Sequence, residues 1–209
     1  MKIDLIIGCE ESGIVRDAFR KLGINAYSCD LLPCSGDAEF HLQMDIFDAL
    51  EKYKPQNGIF HPECTRLTVA ANKYYLPKYA DRFPNIHKER EQAVEFFTRL
   101  YNYPMKNKAI ENPIGIMSRI LRKPNQIIQP YQFGNTERKA TCLWLWGFPA
   151  LIPTDIVQPE IIYHKSGRTD GKLHFETLKL PKEERRKARS KTFPGIAKAM
   201  AEQWAGNIK

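Results

Sequence analysis

Hydrophobic positions follow two alternating rhythms along the first half of the chain. Residues 3–7 form a short, nearly unbroken apolar run, the pattern of a strand covered on both faces. Beyond Gly8, the residues Ile14, Val15, Ala18, Phe19 and Leu22 recur at helical spacing, and Gly23 supplies a stop. Further strands are expected at 25–29, 40–44 and 58–60, with a short helix at 46–53. A long amphipathic helix is expected at 85–103, with Ala93, Val94, Phe96, Phe97 and Leu100 on one side. The apolar pair Ala109-Ile110 then stops at Glu111-Asn112-Pro113. Strand and helix in alternation predict βαβ units and a parallel sheet.

The second half changes character. Two β-rich segments, 126–129 and 140–146, flank Gly134 and Asn135 and read as an antiparallel pair on the sheet edge. Residues 149–181 hold four prolines and little periodicity. The charge run 182–191 leads into a final helix at 194–205, with Pro194 in its first turn, where its missing N–H costs nothing. The expected architecture is α/β: one doubly wound, Rossmann-like domain over 1–209, mostly parallel, with an irregular insertion at about 148–188.

Composition narrows the function. At 43% hydrophobic, the 209 residues can bury a substantial core, which excludes a disordered chain. No apolar run reaches the roughly 20 residues of a membrane span, and the N-terminus reads as a strand, not an export signal. Five cysteines, Cys9, Cys29, Cys34, Cys64 and Cys142, include no CxxC pair; the odd count argues against a disulfide framework or structural zinc and predicts a reduced, cytoplasmic setting. The net charge of +8 favours a polyanionic partner.

The candidate chemistry gathers at the carboxyl ends of the expected strands, where open α/β sheets bind ligands. The first strand runs into Gly8-Cys9-Glu10-Glu11-Ser12-Gly13. Glycines there permit a tight turn and close approach to a ligand, and the glutamates repel a pyrophosphate but suit positive charge. The plainer reading is an ordinary βα turn. Asp30 and Asp45 follow the next two strands, suited to a ribose diol and an adenine amino group respectively, or to capping a helix. Cys64, in the loop His61-Pro62-Glu63-Cys64-Thr65, is either a nucleophile or a small buried hydrophobe. Glu111 is placed to exchange a proton in the same crevice. Gln132, Glu137, Arg138 and Lys139 surround the turn of the antiparallel pair, facing an anion or base, or solvent.

In order, these features resemble the cytosine-5 DNA methyltransferases, and the whole chain resembles the small methyltransferase-like proteins common in phages and prophages. Ile7-Gly8 through Phe19 is similar to the family's glycine-containing first motif, Phe60 to Cys64 to its Pro-Cys loop, and Ala109 to Pro113 to its Glu-Asn-Val motif. Residues 131–134 and 138–141 resemble the motif with an arginine near the target base, and 189–197 the last motif, whose helix returns to the cofactor site. The resemblance implies S-adenosylmethionine as cofactor, touched by Gly8, Cys9, Glu10, Ser12, Gly13, Asp30, Leu31, Asp45, Ile46 and His61. It implies Cys64 adding to C6 of a flipped cytosine, Glu111 on N3 and the amino group, and Arg138 steadying the base.

DNA is the expected partner. Its contacts are expected from Arg66, Lys139, Lys182, Arg185, Arg186, Lys187, Arg189 and Lys191, the tail alternatively being a solvated helix face. Glu63 stands where the family has proline, which predicts a raised Cys64 pKa unless Arg66 or another cation offsets it. Only about 40 residues separate Gly147 from the last motif, so strict specificity requires a homodimer or an auxiliary partner. Two alternatives accompany the reading: a catalytically inactive nucleic-acid-binding relative, and a methyltransferase acting on RNA or free nucleotides.

Overall fold

The computed structural model describes residues 1–208; the side chain of Lys182, one of the expected DNA contacts, lies outside the described residues. In chain order, β1 (Leu5–Gly8), α1 (Ile14–Arg20), β2 (Ala26–Asp30), β3 (His41–Gln43), α2 (Ile46–Tyr53) and β4 (Asn57–Phe60) come first. Two short 3-10 segments, Val69–Tyr75 and Pro77–Tyr79, precede α3 (Ile86–Asn102), β5 (Asn107–Pro113), α4 (Met117–Ile120), β6 (Gln126–Ile128) and β7 (Thr141–Trp146). Then follow β8 (Ile161–Tyr163), β9 (Thr169–Gly171), α5 (Lys172–Glu176), α6 (Lys182–Ser190) and α7 (Pro194–Ile208).

Seven strands form one mixed sheet in the order β3-β2-β1-β4-β5-β7-β6. The first five are parallel, and β7 runs antiparallel to both β5 and β6. The architecture is therefore α/β with a Rossmann-like, mostly parallel sheet and an antiparallel pair at one edge, as the sequence pattern predicts. Period-two alternation divides each strand between two apolar layers. Leu5, Ile7, Ile59, Ala109, Leu143 and Leu145 pack with Val15 and Phe19 of α1 and Met200 and Trp204 of α7. Ile6, Phe60, Ile110 and Trp144 pack with Leu50 of α2 and Phe97 and Leu100 of α3. Trp204 stacks on Phe148 at 4.6 Å and donates its indole N–H to the Pro149 carbonyl.

Helix α3 ends on a buried cation. Lys108 Nζ donates to the carbonyls of Leu100, Tyr101 and Tyr103, satisfying groups that the last helical turn leaves open. Burial lowers this amine to about 8.

Two differences from the sequence pattern bear on the site. Glu111 lies inside β5, opposite Leu143, and not beyond the strand's end. The stretch expected to be irregular contains the β8–β9 hairpin, and the charge run is itself helix α6. Proline spacing hid the hairpin, and the lack of apolar residues hid a helix held by charge pairs such as Arg186–Glu183. No helix among the described residues is long and apolar enough to cross a membrane.

Candidate active site

Strand order reverses between β1 and β4, so the turns leaving them diverge and open a crevice at their carboxyl ends. At the first turn Cys9 takes a left-handed conformation, φ 59°, uncommon for a residue with a side chain. Its N–H bonds the Cys29 carbonyl at 2.7 Å and pins the turn to β2. Glu10 is turned back onto α1: its carboxylate accepts from the N–H groups of Val15 at 2.7 Å and Arg16 at 3.4 Å. The expected ligand glutamate thus serves largely as a helix cap, because the first-turn amides of α1 have no other acceptor. Burial raises its carboxyl pKa despite those bonds and the nearby His61.

The two glycines of this turn act through packing. A Cβ on Gly8 would lie 2.6 Å from Phe60 and 2.7 Å from Ile46, so only glycine fits between β4 and α2. Gly13 sits at φ 70° before α1. Neither lines the cavity, while the other expected cofactor residues, Cys9, Glu10, Ser12, Asp30, Leu31, Asp45, Ile46 and His61, all do.

That cavity measures about 560 Å³, within the size range of ligand sites. Asp30 holds its loop through the Leu32 N–H at 2.9 Å. Asp45 caps α2 through the Phe47 N–H at 2.8 Å, so the capping and ligand readings coexist at one carboxylate. Glu10, Glu11, Asp30, Asp45 and Glu63 give the wall five carboxyl groups. Burial and these acids push the Cys29 thiol up to about 12 and the Cys9 thiol higher still. Sequence reasoning missed Gln92, Ala93 and Phe96 of α3 as lining; the amphipathic pattern marks Ala93 and Phe96 only as an apolar face.

The far wall comes from the charge run and from the start of the stretch expected to return to the cofactor site. Arg186, Ser190, Lys191 and Thr192 line the same cavity, and Lys187 Nζ stands 3.9 Å from Glu11. Arg185 donates to the Leu180 carbonyl, and Arg189 to Thr177 Oγ1 and the His174 carbonyl. The tail expected to lie along DNA is therefore folded over the crevice, with Lys187 near Glu11 while Arg185 and Arg189 hold carbonyls of the segment before it.

The thiol loop leaves β4 through His61, whose N–H bonds the Gly8 carbonyl. Asn112 donates to the Pro62 carbonyl at 2.8 Å, and the Ile116 N–H to the Leu67 carbonyl at 2.9 Å. A Cβ on Gly115 would collide with the Leu67 carbonyl, so glycine is required where the two loops touch. These links clamp the loop after β4 to the loop after β5. His61 Nδ1 lies 3.1 Å from Glu111 Oε2, while its Nε2 is buried without a partner.

Around Cys64 the charges compete. Burial first, then Glu111 and Glu63, raise the half-buried thiol to about 11, against the lowering field of Lys139. At Glu111, burial raises the carboxyl, but the His61 bond and the charges of His61 and Lys139 outweigh it and the net direction is down. Lys139, expected to contact nucleic acid, is thus the cation facing thiol and carboxylate, and its Nζ also donates to the Arg189 carbonyl at 2.9 Å. Arg138, expected beside the base, is exposed, while Lys139 is half-buried and faces the thiol. Arg66 does not offset Cys64, because its guanidinium is committed to Glu89 at 2.6 Å.

No protein-family model matches this chain, and no curated protein is similar enough to match it.

Proposed function

We propose that the protein is an S-adenosylmethionine-dependent methyltransferase acting on C5 of cytosine in DNA. One observation carries the reading: the loop after β4, strand β5 and the segment leading into β7 gather His61 and Cys64, Glu111, and Lys139 beside a cavity with five acidic side chains at the sheet's switch point. The cavity's donor set suits the group. Asp30 and Asp45 suit its hydroxyl and amino functions, the remaining acids suit its cationic sulfur and amine, and Phe96 and Ile46 offer apolar cover. When bound, S-adenosylmethionine supplies an electrophilic methyl on a sulfonium.

The residues of the chain prepare the acceptor. A cytosine outside the base stack brings its C6 to Cys64. Glu111, held ionised, takes the thiol proton and passes it to N3 as sulfur bonds C6, leaving C5 electron-rich. His61 Nδ1–H holds the Glu111 carboxylate in place throughout. Lys139 stabilises the thiolate that forms during addition. After methylation, loss of the C5 proton to water expels Cys64 as a thiolate, and N3 returns its proton through Glu111 to that sulfur, which restores the ring.

A single assay tests this: purified protein with methyl-tritiated S-adenosylmethionine and mixed-sequence DNA, beside Cys64→Ser. The expected result is label in DNA with wild type and none above background with the variant. Label with Cys64→Ser removes the covalent route, and no label with either protein removes the enzyme. The thiol held near 11, with Glu63 beside it, favours a second reading, a non-catalytic nucleic-acid-binding protein of the same fold. DNA binding without label selects it.

A further inference from the structure

Immediately beyond the thiol loop, residues 66–90 carry six lysines and arginines against two acids, Asp81 and Glu89. That is a net +4, half of the chain's +8, in 25 residues. Three times within it a cation directly precedes a ring: Lys73-Tyr74, Lys78-Tyr79 and Arg82-Phe83. Each cation stays at its ring, 5.0, 5.3 and 5.3 Å from the respective centroid. Tyr74 meets Tyr79 at 5.5 Å and Phe83 at 5.1 Å, both edge-on, so the three rings form one connected group. A fourth ring, Tyr75, lies under Arg90 at 3.5 Å.

Burial separates this group from the core. The rings are half-buried and belong to neither apolar layer of the sheet, while Lys73, Lys78, Arg82 and Lys88 are exposed. None of those four cations is paired with a carboxylate among the described residues. A merely solvated face has no use for rings, and a packed face would bury them. Interleaved cations and half-open rings match the two needs of an unpaired strand: phosphates to neutralise and base faces to stack. The Leu67 and Thr68 N–H groups both bond the Cys64 carbonyl, so this surface begins where the thiol loop ends.

We propose that residues 69–90 are a stacking platform for single-stranded nucleic acid, beginning where the thiol loop ends. Single strands fit better than duplex because pairing hides the base faces that the rings would cover. Binding there needs neither cofactor nor methyl transfer.

Fluorescence anisotropy with labelled oligonucleotides of about 15 nucleotides tests it, within the site sizes of single-strand binders. One sequence is offered as single-stranded DNA, single-stranded RNA and duplex DNA. Wild type is expected to bind at least one single strand about tenfold or more tightly than the duplex, and the DNA and RNA arms identify which. The variant Lys73→Gln/Lys78→Gln/Arg82→Gln is expected to lose about tenfold and to flatten the log–log salt slope by about 2. Tyr74→Leu/Tyr79→Leu is expected to lose about tenfold or more, with Tyr74→Phe/Tyr79→Phe restoring affinity. Lys198→Gln, on exposed α7 surface, leaves binding unchanged.

Duplex bound as tightly as both single strands overturns the proposal, as does unchanged affinity in the charge variant, which alters only exposed side chains and decides even if the ring variant unfolds. Cys64→Ser is expected to bind like wild type. Binding without methyl transfer therefore leaves the platform standing while the catalytic reading falls; methyl transfer with affinity untouched by both variants does the reverse.

Discussion

On one side of the Cys64 loop lies a cavity walled by five carboxylates; on the other, six cations interleave with four half-buried rings. The two regions share one short loop and differ in sign, burial and the reach of their charges. Inside the cavity burial raises the thiols of Cys9 and Cys29 and makes every neighbouring charge count. On the open surface water and salt screen each cation, so only their number and spacing matter. A net charge of +8 conceals this division. Half of that excess, +4, lies in residues 66–90, while the cavity wall carries five acidic side chains beside Arg186 and Lys191.

Cys64 sits on the boundary, and substitutions there break the comparison most sharply. The largest effect is expected from Glu111→Gln, which removes the proposed proton carrier: methyl transfer should fall by about 10² to 10⁴, read as tritium incorporated per minute. Next is Lys139→Met. The main lowering charge on the thiol is then gone, so its pKa should rise above about 11, and alkylation by iodoacetamide at pH 8 should slow. The sign follows from the reactive form: thiolate is scarce below the pKa, so wild-type alkylation of Cys64 should climb about tenfold per pH unit from 7 to 10. Glu111→Gln should move that profile to lower pH, since a like charge has been removed. Mass spectrometry of the peptide containing Cys64 reads both.

Asp30→Asn tests the acidic side alone. Losing one carboxylate should weaken S-adenosylmethionine by about tenfold in calorimetric titration while leaving oligonucleotide affinity unchanged. The smallest effect is expected at the seam, where Lys187 approaches Glu11 at 3.9 Å with more than half of its side chain exposed. Lys187→Gln should shift cofactor affinity by less than about threefold, because exposed ion pairs contribute little. A larger change would show that α6 holds the cavity shut.

What local pattern determines was readable in the chain. Short apolar runs at 3–7, 58–60 and 109–110, with helical spacing between them, predict the βαβ order, and in the folded sheet Asp30, Asp45 and His61 stand at the carboxyl ends of the strands with Glu111 inside β5. The sequence patterns depend on neighbours a few residues apart. Two other decisions belong to the tertiary structure alone. Lys139 faces the thiol in place of Arg138, its Nζ held on the Arg189 carbonyl; and α6 covers the crevice, with Lys187 near Glu11. These contacts join partners 50 and 176 positions apart along the chain, a separation over which sequence periodicity carries no information.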